Sequence, residues 1–152
     1  MSSSELQTPI DILLVEDNAG DVFLLRECFA QTSITHTLHP VEDGEAALAF
    51  LNHEVPYTNA PRPDLILLDL NLPKKDGREV LAELKAEPEL QSIPVIVLTG
   101  SAAEQDIHRS YQLHANCYIT KPSDLSTLHE IVQAIELFWF THVRLPSRLR
   151  TR

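Results

Sequence analysis

The chain has 152 residues, 43% of them hydrophobic, and a formal net charge of −10. This length and apolar content predict one folded domain over residues 11–145, with short tails at residues 1–10 and 146–152. The acidity argues against binding to nucleic acid, which depends on lysine and arginine. No apolar run approaches the roughly 20 residues that cross a bilayer, and the chain start lacks a secretion signal. We therefore predict a cytoplasmic protein without a membrane partner.

The predicted elements alternate between short apolar strands and amphipathic helices. In chain order they are a strand at 11–15, a helix at 19–31, a strand at 36–41, a helix at 43–51, a strand at 65–68, a helix at 77–85, a strand at 94–98, a helix at 102–113, a strand at 117–120 and a long final helix from 125 to about 143. Nearly continuous apolar strands separated by helices are typical of a parallel sheet covered on both faces. The fold predicted is therefore a five-stranded, doubly wound α/β sandwich.

Polar and charged side chains follow four of the predicted strands. They are Glu16 and Asp17 after the first strand, Asp69 and Asn71 after the third, Thr99 and Ser101 after the fourth, and Lys121 after the fifth. Right-handed crossovers bring the carboxyl ends of parallel strands to one edge of the sheet, where ligands bind. If the strand order is 2-1-3-4-5, the first and third strands are neighbours, and the three carboxylates form one cluster.

Such a cluster of carboxylates indicates a metal site. Three carboxylates close together repel one another, so we expect their pKa values to be raised unless a cation is present. Oxygen ligands suit Mg²⁺, which keeps several waters, and Mn²⁺ is expected to substitute for it. Zinc is not favoured, because neither cysteine nor histidine follows these strands.

The same edge carries the parts of a phosphoryl-transfer site. Asp69 is predicted to act as a nucleophile that attacks a phosphoryl group and forms an aspartyl phosphate. The ammonium of Lys121 and the metal would neutralise the transferring oxygens, and the Thr99 hydroxyl would contact them. Taken singly, these residues have simpler roles, such as Asp17 capping the next helix or Lys121 lying in solvent. It is their combination at one edge that favours the phosphoacceptor interpretation.

Three other functions are alternatives to this one. A phosphotransferase or phosphatase enzyme of this type usually needs a second acid two residues beyond the nucleophile, and Asn71 stands there; an amide cannot protonate a leaving group. A flavodoxin-like cofactor binder needs a Gly-, Ser- or Thr-rich phosphate loop after the first strand, where Glu16 and Asp17 would repel phosphate. A binding or dimerisation module that works without phosphorylation remains an alternative.

Four motifs together resemble the receiver domain of two-component response regulators. They are "ILLVEDN", "DLILLDLNLPKKDG", "VIVLTGS" and "CYITKP", in this order along the chain. The resemblance implies a flavodoxin-like receiver fold over residues 12 to about 143. It also implies that Asp69 is phosphorylated and that Glu16, Asp17 and the backbone carbonyl of Asn71 hold Mg²⁺ with it. Glu16 stands where many relatives have Asp, a change that we expect to alter the metal geometry slightly.

The resemblance also implies how the site works. Thr99 and Tyr118 match a hydroxyl and aromatic switch pair, and Lys121 matches the lysine that contacts the phosphoryl group. Asn71 and Ser101 are implied to tune dephosphorylation. A receiver domain catalyses only its own phosphorylation and slow dephosphorylation, so the chain is expected to be a signalling domain rather than an enzyme. It then acts by binding another protein.

Three further segments resemble the small response regulators of cyanobacterial phytochromes. They are "YTNAPRPDLILLDLNLPKKDGREVL", "SYQLHANCYITKP" and "IELFWFTHVRLP". This implies a sensor histidine kinase of the phytochrome type as phosphoryl donor. It also implies a homodimer through the fourth helix, fifth strand and final helix, a face assigned to Tyr111, Cys117, Phe138, Trp139 and Phe140. Since consecutive aromatics point around a helix, at least one should leave the core and favour a partner surface; a packed C-terminal anchor is the alternative.

Overall fold

The structure, a computed structural model, describes residues 9–146. Most of both predicted tails, including the basic segment 147–152, therefore lies outside the described residues. The strands are β1 (Ile10–Val15), β2 (His36–Val41), β3 (Leu65–Leu68), β4 (Val95–Thr99) and β5 (Cys117–Thr120). The helices are α1 (Ala19–Phe29), α2 (Gly44–Leu51), α3 (Gly77–Ala86), α4 (Glu104–Gln112) and α5 (Leu125–Ile135), which continues as a π-helical segment (Glu136–His142). Within residues 9–146, no helix is long and apolar enough to cross a membrane.

All five strands are parallel and lie in the order β2-β1-β3-β4-β5, which confirms the predicted topology. β3 is central, and all four of its side chains are buried. In the register between β1 and β3, Val15 pairs with Leu68. The residues that follow these two strands, Glu16 and Asp69, therefore leave the sheet side by side.

A separate hydrophobic core covers each face of the sheet, because successive side chains of a strand point to opposite faces. One core combines Ile66 and Leu68 of β3 with apolar residues of α2 and α3, such as Phe50 and Leu81. The other combines Leu65 and Leu67 with residues of α1 and α5: Leu25, Phe29, Leu128 and Val132. Each fully buried Leu or Phe contributes roughly 1.5–3 kcal/mol, so the two cores fix the strands from both sides and hold the carboxyl edge rigid.

The two edge strands differ in how their outward backbone groups are arranged. At the two ends of β2, the carbonyl of Thr35 accepts from the N–H of Ile10 and the carbonyl of Val41 accepts from the N–H of Glu16. Alternate residues therefore face β1, and Pro40 faces outward. Proline has no N–H to donate. In β5, the N–H of Tyr118 donates to the hydroxyl oxygen of Tyr111 on α4, at 3.1 Å.

The end of the final helix departs from the prediction of one continuous α-helix. From Glu136 to His142 it is π-helical, with the N–H of Val143 donating to the carbonyl of Phe138. The carboxylate of Glu136 accepts hydrogen bonds from the backbone N–H groups of Ser33 (2.8 Å) and Ile34 (3.2 Å), which tie this segment to the α1–β2 loop.

The π-helical segment also distributes its side chains between core and surface. Leu137 and Phe138 are 58% and 55% exposed, whereas Trp139 and Phe140 pack against the core shared with α1. The structure therefore contains both an exposed aromatic, as expected, and a packed anchor.

Candidate functional site

Neighbouring backbone fixes Asp69 at the end of β3. Its N–H donates to the carbonyl of Val15, which continues the ladder between β3 and β1, and its side chain is almost fully buried. α3 closes against this backbone: the N–H of Gly77 donates to the carbonyl of Leu70, at 2.9 Å. A Cβ atom on Gly77 would lie 2.2 Å from the Asp69 carbonyl oxygen, so only glycine permits this approach.

The carboxylate of Asp69 accepts hydrogen bonds on both oxygens. Oδ1 accepts from the Thr99 hydroxyl at 2.6 Å and from the N–H of Asn71 at 3.2 Å, and Oδ2 accepts from the ammonium of Lys121 at 3.1 Å. Thr99 is the last residue of β4, and Lys121 directly follows the neighbouring strand, β5. The Lys121 N–H donates to the Thr99 carbonyl at 2.7 Å, which holds the two residues side by side. The structure thus brings together Asp69, Thr99 and Lys121, three residues that the sequence predicted to lie together.

Lys121 has three carboxylate partners rather than one. Besides Asp69, its ammonium donates to Oε1 of Glu16 at 2.5 Å and to Oδ2 of Asp21 at 2.8 Å. Sequence reasoning missed Asp21, which lies in the first turn of α1. The available signal was position: Asp21 is an acid in the first turn of the helix that directly follows β1, so it begins at the same edge.

The predicted carboxylate cluster forms. Oxygen atoms of Glu16, Asp17 and Asp69 lie within 4.8 Å of one another, with Asp17 exposed and the other two buried. This donor set fits a hard divalent cation, which binds carboxylate oxygens and keeps water on its open side. The cluster is therefore suited to a divalent metal ion. The backbone carbonyl of Asn71 as a further ligand stays a prediction.

The pKa values of two members of the cluster are shifted in opposite directions. Burial, with a contribution from the charge of Asp69, raises the pKa of Glu16 to about 7, despite the hydrogen bonds from Lys121 and Asn18. The expected rise does not extend to Asp69, because a cation, the ammonium of Lys121, lies beside it. Burial acts to raise its pKa, but the hydrogen bond from Thr99 and the charge of Lys121 outweigh burial and lower it. Asp69 is therefore ionised at neutral pH, as a nucleophile must be.

Lys121 also remains charged. Burial alone would lower its pKa, but the hydrogen bonds to Asp21 and Glu16 outweigh burial and raise it. The site thus contains a permanent cation beside the Asp69 carboxylate.

A second polar network lies beside the site, in the loop between β4 and α4. The Ser101 hydroxyl donates to Asp106 at 2.6 Å, and Arg78 of α3 donates to the same carboxylate at 2.7 Å. The Tyr118 hydroxyl donates to the Ser101 carbonyl at 2.8 Å. Sequence reasoning predicted roles for Ser101 and Tyr118 but missed Arg78 and Asp106, because partners 28 residues apart carry no local signal.

Some residues of the face predicted for dimerisation line an apolar groove, and others pack against the core. The groove lies between β5 and the final helix and is lined by Ile96, Cys117, Ile119, Ile131, Ala134, Ile135, Phe138 and Trp139. Cys117 is a free thiol. Tyr111 is exposed on α4, beside the edge of β5. Phe140 packs against a core cluster.

Comparison with known proteins gives consistent results. The profile described as "Response regulator receiver domain" matches residues 12–133. "Response regulator Rcp1" of Synechocystis sp. is 54% identical over 145 residues, which cover 95% of this chain and 99% of the relative.

Two solved structures are also similar, each 55% identical and covering 91% of this chain and 99% of the other. They are the "Mn(2+)-bound form of response regulator Rcp1", with a TM-score of 0.87, and the "Phosphorylated Cyanobacterial Phytochrome Response Regulator RcpA", with a TM-score of 0.88.

Proposed function

This chain belongs to the family of response regulator receiver domains, and we propose that its Asp69 is the residue that accepts the phosphoryl group. The family is one of phosphoryl-accepting signalling domains. The observation that carries the assignment is the position of the Asp69 carboxylate, ionised at the carboxyl edge and bonded to both Thr99 and Lys121.

The side chains around Asp69 support a separate role for each residue in the phosphoryl transfer. An oxygen of Asp69 forms a bond to phosphorus while the bond between phosphorus and the donor atom breaks, and the donor atom leaves with the electron pair. Lys121 and Thr99, which bond to the free carboxylate, turn to the oxygens of the bound phosphoryl group. Gly77 allows the backbone of Asp69 to stay fixed during this exchange.

Mg²⁺ is the metal proposed for the carboxylate cluster, with Mn²⁺ able to replace it. Glu16, Asp17, Asp69 and the carbonyl of Asn71 would hold it. Bound there, a divalent ion offsets the negative charge that gathers on the transferring oxygens. The observation in support is the close grouping of the three carboxylates, together with the Mn²⁺ bound by a relative that is 55% identical.

We further propose that Thr99, Ser101 and Tyr118 transmit the phosphorylated state. Thr99 contacts Asp69 directly, and Tyr118 is bonded to the backbone of Ser101 in the loop that follows Thr99. Movement of Thr99 toward a phosphoryl group would pull on this loop and release Tyr118, which is a two-state change of packing. In this scheme Ser101 and Asn71 tune the lifetime of the phosphorylated state.

The proposed donor is a sensor histidine kinase of the phytochrome type, and the proposed output is binding to another protein. Support for the donor comes from a relative described as a phytochrome response regulator, 55% identical over most of the chain. A homodimer through α4, β5 and α5 is part of the proposal. Its support is the apolar groove between β5 and the final helix, and the exposure of Phe138.

Intact-mass spectrometry after incubation with acetyl phosphate tests the acceptor. The wild-type chain with Mg²⁺ should gain one phosphoryl group, removable by hydroxylamine as expected for an acyl phosphate. Asp69→Asn, and wild type with a chelator, should gain none. Asp76→Asn is the matched control, because Asp76 caps α3 next to the site and its variant should be phosphorylated. Gain of a phosphoryl group by Asp69→Asn would reject the assignment.

Sedimentation of two aromatic variants tests the dimer. Phe138→Ser should weaken self-association, since it removes an exposed apolar side chain from the groove. Phe23→Ser is the control: Phe23 is equally exposed, at 61%, but lies on α1. Equal effects of the two substitutions, or none, would contradict the proposed face.

A further inference from the structure

Asp21 has a role in the site that the proposed function does not use. Its carboxylate oxygen Oδ2 lies 2.8 Å from Nζ of Lys121, although 100 residues separate the two in sequence. The helix start fixes this position: Asn18 caps α1 and accepts the Asp21 N–H at 2.9 Å. Asp21 is therefore held by its backbone as well as by its side chain.

The three partners of Lys121 account for the three hydrogens of its ammonium. They are Glu16, Asp21 and Asp69. Two of these partners change when the site works. Asp69 becomes an acyl phosphate, and Glu16 belongs to the carboxylate cluster that fits a metal. Asp21 is outside that cluster and outside the transfer, so neither step engages its carboxylate.

We infer that Asp21 is a positioning residue, which anchors the Lys121 ammonium at the mouth of the site while the other two partners are engaged elsewhere. A lysine side chain loses much of its rotamer freedom when it is fixed. An anchor that persists lets Lys121 turn one N–H from Asp69 to a phosphoryl oxygen without swinging into solvent. This inference rests on the proposed role of Lys121.

A simpler role for Asp21 must be separated from this one. Acids in the first turn of a helix stabilise it through the helix dipole, and Asp21 could act only in that way. Such a role would not depend on Lys121. The two accounts therefore differ in what happens to an Asp21 substitution when Lys121 has already been removed.

The first experiment measures the rate of phosphoryl gain from acetyl phosphate and Mg²⁺. Loss of one charge-assisted hydrogen bond predicts a rate about tenfold lower in Asp21→Asn, with partial recovery in Asp21→Glu. Glu27→Gln is the matched control, since Glu27 is an exposed acid on the same helix, and it should match wild type. In a Lys121→Met background, Asp21→Asn should cost nothing further. An equal cost in both backgrounds, or a wild-type rate in Asp21→Asn, overturns the inference.

The second experiment needs neither metal nor phosphoryl donor. Relaxation of ¹³Cε in labelled lysine reports how well ordered the end of Lys121 is. Lys121 should be ordered in wild type and in Glu27→Gln and mobile in Asp21→Asn. Equal order in Asp21→Asn and wild type would overturn the anchor even if phosphorylation were normal. If wild type gains no phosphoryl group, the proposed function fails, but this measurement still decides the role of Asp21.

Discussion

Two polar networks lie side by side at the carboxyl edge of the sheet. Both contain ion pairs, but the ion pairs serve different roles in the two networks. In the acceptor network, made of Glu16, Asp21, Asp69 and Lys121, two of the acids are buried and the Lys121 side chain is 17% exposed. In the loop network, made of Asp76, Arg78, Ser101, Asp106 and Tyr118, the Arg78 side chain is 30% exposed. The acceptor network has one cation for three acids, and it is thus suited to take up a further cation. The loop network has one cation for two acids, and its hydrogen bonds hold the backbone of the loop that follows Thr99.

Removal of the acceptor network's cation should have the largest effect. Lys121→Met leaves Glu16 and Asp69 buried without their partner, which costs about 3 kcal/mol of unfolding free energy in the absence of metal. Urea denaturation with a chelator present would measure the loss. Mg²⁺ should restore part of the stability by replacing the lost positive charge. A loss below about 0.5 kcal/mol would be that of an exposed ion pair, and it would mean that burial does not strengthen the contribution of this network to stability.

The pH dependence of metal binding should be the next largest effect. Since the pKa of Glu16 is raised to about 7, protons compete with the metal below that pH. The apparent affinity for Mg²⁺ should fall by about tenfold per pH unit below 7, which equals about 1.4 kcal/mol, and level off above it. Calorimetric titrations from pH 5.5 to 8.5 would measure this. Glu16→Gln is the control, and a slope that persists in it would assign the pH dependence to another group.

The raised pKa of Glu16 also determines whether its contribution to the stability of the metal-free protein rises or falls with pH. The folded pKa of Glu16 is raised from 4.5 to about 7, so between these values the folded state binds more protons than the unfolded state. The contribution of Glu16 is therefore fully present below pH 4.5 and is lost as the pH rises to 7. Asp69 has the opposite sign, because its pKa is lowered, but its effect falls below this window.

The loop network should show the smallest effect on stability. Arg78→Met removes ion pairs to Asp76 and Asp106 that solvent screens, so a loss of about 0.5 kcal/mol or less is expected. Urea denaturation beside Lys121→Met gives the comparison directly. A loss as large as that of Lys121→Met would mean that the two networks do not differ as their burial suggests.

Most of the fold could be predicted from the sequence because its signals are local. β3 was bounded correctly, since the buried run Leu65–Leu68 ends at Asp69. Asp69, Thr99 and Lys121 were brought together by topology alone, as each follows a parallel strand. Helix ends moved by up to two residues; α1 stops at Phe29, where the Thr32 N–H turns back to the Phe29 carbonyl.

Features that depend on distant partners could not be predicted. The π-helical segment is tied down by Glu136, whose partners Ser33 and Ile34 lie about a hundred residues earlier. The lowered pKa of Asp69 depends on the hydrogen-bond geometry of Thr99 and Lys121, which topology alone does not give. In both cases the deciding contact joins elements that no local pattern connects.

The edges of the sheet bear on how this protein avoids uncontrolled aggregation. A bare edge strand can recruit further strands, and proteins guard against this in several ways. β2 presents Pro40, which cannot donate a hydrogen bond, and the outward N–H of Tyr118 in β5 already has the Tyr111 hydroxyl as acceptor. The protection by Pro40 is permanent, whereas the Tyr111 side chain can rotate away from β5. Growth of a continuous sheet is thereby disfavoured at both edges.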